Sequence, residues 1–184
     1  MPLFGSIFCK DKIRKSVEQQ RPRLYRLAYS WCHQRELADD LVQETMMKAL
    51  NNLRQLNNPD ALKFWLNGIL ANCWKDHFRS KKDHENIDEH IICDFDTPER
   101  QYEQNHICET IRDAVAMLPV GQRQVVTLVD LEYTSYAEVA EILEIPIGTV
   151  MSRLCRARKT LSETLLEMKP ELRKNNLHLI REAK

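Results

Sequence analysis

Apolar positions recur at helical spacing in two long blocks, one from about Lys15 to about Ser80 and one from about Gln101 to Glu167. In the first block Ala38, Val42, Thr45, Ala49 and Leu53 fall on one helix face, with Leu41 and Met46 at its margins. Asp40, Gln43, Glu44 and Met47 gather on the opposite face. Further on, Trp65, Leu66 and Ile69 predict the buried side of another helix. Polar breaks between His33 and Arg35 and at Asn57-Asn58-Pro59-Asp60 divide this block. The second block is interrupted at Leu118-Pro119-Val120-Gly121 and again at Glu144-Ile145-Pro146. The predicted class is all-α: two small helical domains, residues 1–82 and 104–184, joined by a flexible acidic linker at 83–103.

The sharpest local pattern begins at Ser135. With Glu138 three residues later it forms a capping box, which satisfies free N–H groups at a helix start. Tyr136, Val139, Ala140 and Leu143 then repeat at helical spacing, and Pro146 sits where a second helix would begin with its φ already fixed. On that second helix Val150, Leu154 and Ala157 share the inner face, while Met151, Ser152, Cys155, Arg156 and Lys159 point away. Two short helices joined by a tight turn make a helix-turn-helix. No acidic residue lies between Pro146 and Leu161, whereas the preceding helix carries Glu138, Glu141 and Glu144. Only the second helix therefore suits the major groove of DNA. The bland alternative is a basic helix that merely faces solvent.

Composition supports the helical reading, with four Gly in 184 residues and few β-branched runs. The formal net charge of zero argues at first sight against a nucleic-acid binder, but the charge is unevenly spread. Residues 1–82 hold 15 basic and 8 acidic side chains, whereas residues 83–110 set Arg100 alone against nine carboxylates. Positive charge follows the apolar start from Met1 to Cys9, the reverse of a secretory signal. No run reaches the roughly 18 apolar residues that span a bilayer, so a cytoplasmic protein is expected. Six scattered cysteines without a C-x-x-C pair predict no disulfide framework.

The segment from Pro146 to Arg158, with Gly148-Thr149-Val150-Met151-Ser152-Arg153-Leu154-Cys155-Arg156-Ala157-Arg158 at its heart, resembles the "GTVxSRLxRAR" signature of extracytoplasmic-function (ECF) sigma factors. Leu118-Pro119-Val120-Gly121-Gln122-Arg123-Gln124-Val125 resembles the "LPxxxRxV" start of the same C-terminal domain. Asp40-Leu41-Val42-Gln43-Glu44 is similar to the "DLVQE" motif that docks on the coiled-coil of the RNA polymerase β′ subunit, and the stretch from Trp65 to Arg79 is similar to "WLxxIAxNxxxDxxR". The resemblance implies an alternative sigma factor that binds core RNA polymerase through its β′ and β subunits and recognises promoter DNA at the −35 and −10 elements. Such a factor promotes melting, is commonly restrained by an anti-sigma factor, and needs no cofactor or catalytic residue.

By position in that family, Ser152, Cys155 and Arg156 would face the −35 bases, with Thr149, Arg153, Arg158 and Lys159 mainly on phosphates. Asn72 would capture a flipped-out base of the −10 element, and Lys75, Arg79, Lys81 and Lys82 would hold the separated strand. Asp40, Gln43, Glu44 and Met47 would dock on polymerase. Without the family, Asn72 reads as a helix cap or a solvated amide. The family usually has Gly where this chain has Glu144, and often Lys or Arg at Met151. Gly68 stands where a larger residue is more usual.

The acidic linker reads by itself as a plain tether, and the resemblance implies a segment threaded through the polymerase near the RNA exit path. His90, Cys93, His106 and Cys108 could offer two nitrogens and two sulfurs to a metal, but their spacing matches no standard zinc module. No phosphate loop, carboxylate pair or nucleophile motif suggests an enzyme. The rival from another class is a helix-turn-helix regulator or repressor that binds duplex DNA on its own.

Overall fold

Leu, Ala and long charged side chains lose little rotamer freedom in a helix, and every regular element among the described residues is helical. The computed structural model describes residues 4–56, 58–82 and 104–168, with side chains at 12–56, 58–79 and 109–167. The acidic linker therefore lies outside the described residues. So do His90 and Cys93, and of His106 and Cys108 only the helical backbone is described.

The first four helices are α1 (Phe4–Gln19), α2 (Arg21–Cys32), α3 (Arg35–Asn51) and α4 (Leu62–Lys82). After them come α5 (Gln104–Ala116), α6 (Val120–Val126), α7 (Tyr136–Leu143) and α8 (Ile147–Met168). A π turn, Thr127–Leu131, continues α6. Among the described residues no helix is long and apolar enough to cross a membrane.

The breaks fall where the polar clusters predict them. α2 ends as His33 turns into the left-handed region at φ 52°. Asn58 accepts the Asp60 N–H at 3.0 Å and starts a 3-10 turn with Pro59. One boundary differs, because α1 starts at Phe4 and not near Lys15. No proline interrupts residues 3–21, so the helix runs back through a stretch whose apolar character hid its continuity.

Buried side chains from both blocks join one contiguous apolar cluster. Leu24, Trp31, Leu41, Leu66 and Leu70 from the first block and Leu118, Val125, Leu128, Val139 and Val150 from the second are almost wholly hidden. Trp31 meets Trp74 edge to face at 5.9 Å, and Trp74 in turn leans on Phe78 at 4.6 Å. Along α4 the seam is Leu66, Leu70, Ala71 and Trp74, while Trp65 and Ile69 are only half-buried at its flank. α4 packs on α3 and also on α7, so its covered stripe follows both neighbours. Leu41, expected at a margin, is buried because α2 closes over that side of α3.

Polar contacts pin the two blocks to each other. Arg123 of α6 is buried and donates to the carbonyls of Trp31 (2.6 Å), Ala116 (2.7 Å) and Leu118 (2.9 Å). It thereby caps orphan carbonyls at the C-terminal ends of both α2 and α5, where a cation is also favoured by the helix dipole. Trp31 donates its indole N–H to the buried Thr127 hydroxyl at 2.9 Å. Arg23 of α2 donates to Asn67 of α4 at 3.0 Å and makes a close ion pair with Glu132, just past the π turn.

Candidate polymerase and nucleic-acid interface

The helix-turn-helix forms as its caps dictate. Ser135 Oγ accepts the Glu138 N–H at 3.3 Å, and Glu138 Oε2 accepts the Ser135 N–H at 2.9 Å. The same carboxylate accepts the Ser135 hydroxyl, and these bonds hold it below the usual carboxylate range. α7 buries Val139, Ile142 and Leu143, whereas Tyr136, which shares the helical spacing of Val139 and Leu143, stands at the solvent edge in its first turn. Pro146 precedes α8, and its carbonyl accepts the N–H groups of Thr149 and Val150.

The turn between these helices passes through Glu144 at φ 54°, ψ 49°. A side chain with a Cβ costs about 1 kcal/mol in that region relative to Gly. The sequence departs from the Gly usual in the family it resembles at the very position where the backbone is left-handed.

α8 lays Val150, Leu154 and Ala157 against the core. Met151, Ser152, Cys155, Arg156 and Lys159 are exposed on the far side, and Thr149 is half-buried at its start. Arg156 folds back along its own helix, with Nε 3.2 Å from the Ser152 carbonyl. The two flanking arginines are engaged. Arg158 grips both oxygens of Asp130, at 3.2 and 2.6 Å, which strengthens its hold on its proton. Arg153 is half-buried, with its guanidinium over Gly121, turned away from the outward row.

On α3, Asp40, Gln43 and Met47 are exposed together, and Met47 keeps 58% of its surface open. Glu44 is half-buried and pairs with Lys48 at 2.8 Å, while Lys48 also reaches Asp76 of α4 at 3.2 Å. The bond from Glu44 drives the Lys48 pKa up, so this ammonium ties α3 to α4.

On α4, Asn72 and Arg79 are exposed, whereas Lys75 is half-buried with its Nζ screened from solvent. Lys75 Nζ lies 2.9 Å from a Glu144 carboxylate oxygen, an ion pair whose alignment falls short of a hydrogen bond. The side chains of Lys81 and Lys82 lie outside the described set. Lys75, Arg79 and Arg153 line one cleft of about 370 Å³ between α4 and the second block, together with Trp74, Phe78 and Leu143.

Sequence reasoning therefore groups the α3 row and the α8 row as the structure does. It does not foresee that Lys75 and Arg153, assigned to different DNA elements, share a cleft. It also gives no role to Arg23, Asn67, Thr127, Arg123 or Glu132. Arg123 alone carried a signal, as the arginine inside the motif that opens α6.

Residues 17–84 match the family described as Sigma-70 region 2, and residues 108–161 match Sigma-70 region 4. The chain is 32% identical over 156 residues to the ECF RNA polymerase sigma factor EcfG of Rhodopseudomonas palustris, covering 84% of this chain and 86% of that one. It is 29% identical over 161 residues to the RNA polymerase sigma-H factor of Pseudomonas aeruginosa, covering 81% and 83%. Among solved structures it is similar to the sigma factor RpoE in complex with the anti-sigma factor NepR from Bartonella quintana. That likeness has a TM-score of 0.71 and 29% identity, and it covers 86% of this chain and 98% of that one.

Proposed function

The chain belongs to the sigma-70 family of RNA polymerase sigma factors, in its ECF class, and from that premise we propose how its residues divide the work. As an alternative sigma factor it directs RNA polymerase to promoters. Residues 1–82 dock on core polymerase and act on the −10 element, residues 83–103 connect, and residues 104–184 read the −35 element. Docking falls to Asp40, Gln43 and Met47, with Glu44 braced by Lys48 beside them.

In the −10 region Asn72 takes an extruded base on its amide, and Lys75, Arg79, Lys81 and Lys82 hold the opened strand. In the −35 region Ser152, Cys155 and Arg156 read bases, while Thr149 and Lys159 sit on phosphates. Arg158 contributes to phosphate binding only at the expense of its Asp130 pair, and Arg153 only after leaving its seat on Gly121. The relative solved with an anti-sigma factor supports a restraining partner of that kind for this chain. The work is done in the cytoplasm, where polymerase is, without catalysis by the chain itself.

The observation that carries this reading is the α8 row. Its back is sealed in the core, and its front shows Ser152, Cys155, Arg156 and Lys159 with no carboxylate before Glu163. Run-off transcription from a genomic promoter pool, with core polymerase and the purified chain, tests it. Promoter-specific transcripts are expected. Tight duplex binding by the chain alone, with no transcripts and no affinity for core enzyme, would replace this reading with a free-standing regulator. Within it, Asp40→Arg should weaken core binding about tenfold or more, which is roughly 1.4 kcal/mol, and leave the thermal melt unchanged.

A further inference from the structure

α8 carries two rows on the side it turns away from the core, and they differ in chemistry. One row is polar: Ser152 and Arg156 stand one turn apart and bond to their own helix. The Ser152 hydroxyl donates to the Thr149 carbonyl at 3.1 Å, and Arg156 Nε donates to the Ser152 carbonyl at 3.2 Å. The other row is apolar. Ile147, Met151 and Cys155 follow one another at every fourth residue, so they form a continuous stripe from the first turn of the helix towards the middle of its outward face. Ile147 keeps 50% of its surface open and Met151 53%, and Cys155 is exposed as well. Single exposed apolar side chains are ordinary, but a contiguous row of them marks a contact surface.

What surrounds the stripe identifies its partner. Arg156 and Lys159 stand beside it, and no carboxylate occurs on α8 before Glu163. Gly148 adds no side chain next to Ile147, and a Cβ there would meet nothing within 4 Å, so neither packing nor a positive φ requires glycine at this place. Bare backbone at the start of α8 lets another surface approach closely. A recognition helix lies in the major groove with its N-terminal residues at the base edges, and the stripe begins at that end. The apolar group that a base pair shows in that groove is the 5-methyl of thymine.

We propose that Ile147, Met151 and Cys155 form a thymine-reading stripe, which packs on 5-methyl groups in the −35 duplex and so selects A·T pairs where it lies. Ile147 and Met151 thereby join the base-reading residues, with Ser152 and Arg156 on the polar base edges beside them. The inference rests on the assignment of α8 to the −35 element, and the experiment separates the two.

Core polymerase carrying the full chain selects from promoter duplexes randomised across the −35 element. The enriched duplex is then remade with uracil in place of thymine, one position at a time. Uracil keeps every hydrogen-bonding group of thymine and lacks only the methyl. Competition binding is measured for the wild type, Met151→Ala, Ile147→Ala and Met151→Leu, beside a thermal melt of each chain and its affinity for core polymerase.

Loss of a methyl seated on the stripe should weaken wild-type binding about fourfold. In Met151→Ala the penalty for uracil should vanish at one position and persist at its neighbour, where Ile147→Ala should remove it. Met151→Leu keeps an apolar side chain and should keep the penalty, with all melts unchanged. Enrichment of a −35 sequence with no penalty for uracil at any position overturns the stripe and leaves the −35 assignment intact. So does a penalty that survives both alanine variants, since the methyl is then read elsewhere. Loss of core-polymerase affinity in Met151→Ala, with binding indifferent to uracil, overturns the stripe in favour of a protein contact. No enriched sequence at all topples the −35 assignment, and the stripe with it.

Discussion

Arg123 and His33 show how much a single position can carry. Arg123 satisfies three carbonyls from two helix ends, one of them in the other half of the chain. Arg123→Met would leave those acceptors buried and unpaired, and a loss of about 3–5 kcal/mol is expected, read as a fall in the denaturant midpoint. His33 is buried beside this guanidinium at the left-handed end of α2. Burial first, and the Arg123 charge second, push its pKa from 6.5 down to about 4.

Its titration gives stability a definite slope with pH. Below pH 6.5 the unfolded chain takes up a proton that the folded chain refuses until about pH 4. The fold is therefore at full strength above the higher value and loses up to about 3 kcal/mol as pH falls to the lower one. His33→Asn, which tolerates the left-handed backbone, should flatten that slope when urea melts at neutral and acid pH are compared. An unaltered slope would assign the acid sensitivity elsewhere.

At the level of elements, the first turn of α7 hangs on Ser135 and Glu138. Ser135→Ala should cost about 1 kcal/mol and loosen the seat of α8, visible as faster amide exchange in α7 while α2 and α3 keep theirs. This cap was legible in the sequence, as were the all-helical class, the inner face of α8 and the breaks at His33 and Pro119, because each is set by neighbours within a few residues. The start of α1 at Phe4 was not, since an apolar stretch without a capping residue gives no clear boundary.

Nor did periodicity reveal that α7 would press on α4, which moved Trp65 and Ile69 to the flank of the seam. Partners such as Trp31 and Thr127 stand 96 positions apart, and no local pattern links them. Glu144 falls between these cases. Its departure from glycine could be read from the chain, but the lysine it faces could not.

For the molecule as a whole, one core running through both halves means that neither half ends where its own helices end. The chain should melt in a single calorimetric transition, with the van't Hoff and calorimetric enthalpies in agreement. Glu132→Arg should split that transition in two, and two separate transitions in the wild type would show that the halves are independent.

The seam around Trp31 has a consequence for temperature. Separating the halves wets apolar surface, so opening carries a positive heat capacity, and the apolar share of the closure weakens on cooling. The cost of dehydrating the ionic groups falls on warming, which pushes the balance the same way. The fraction of open chains should therefore rise in the cold, and scattering curves recorded at a series of temperatures below the melt would show it. A chilled cell would find the two halves apart more often with no change in the amount of the factor, the interface between them acting as the thermometer.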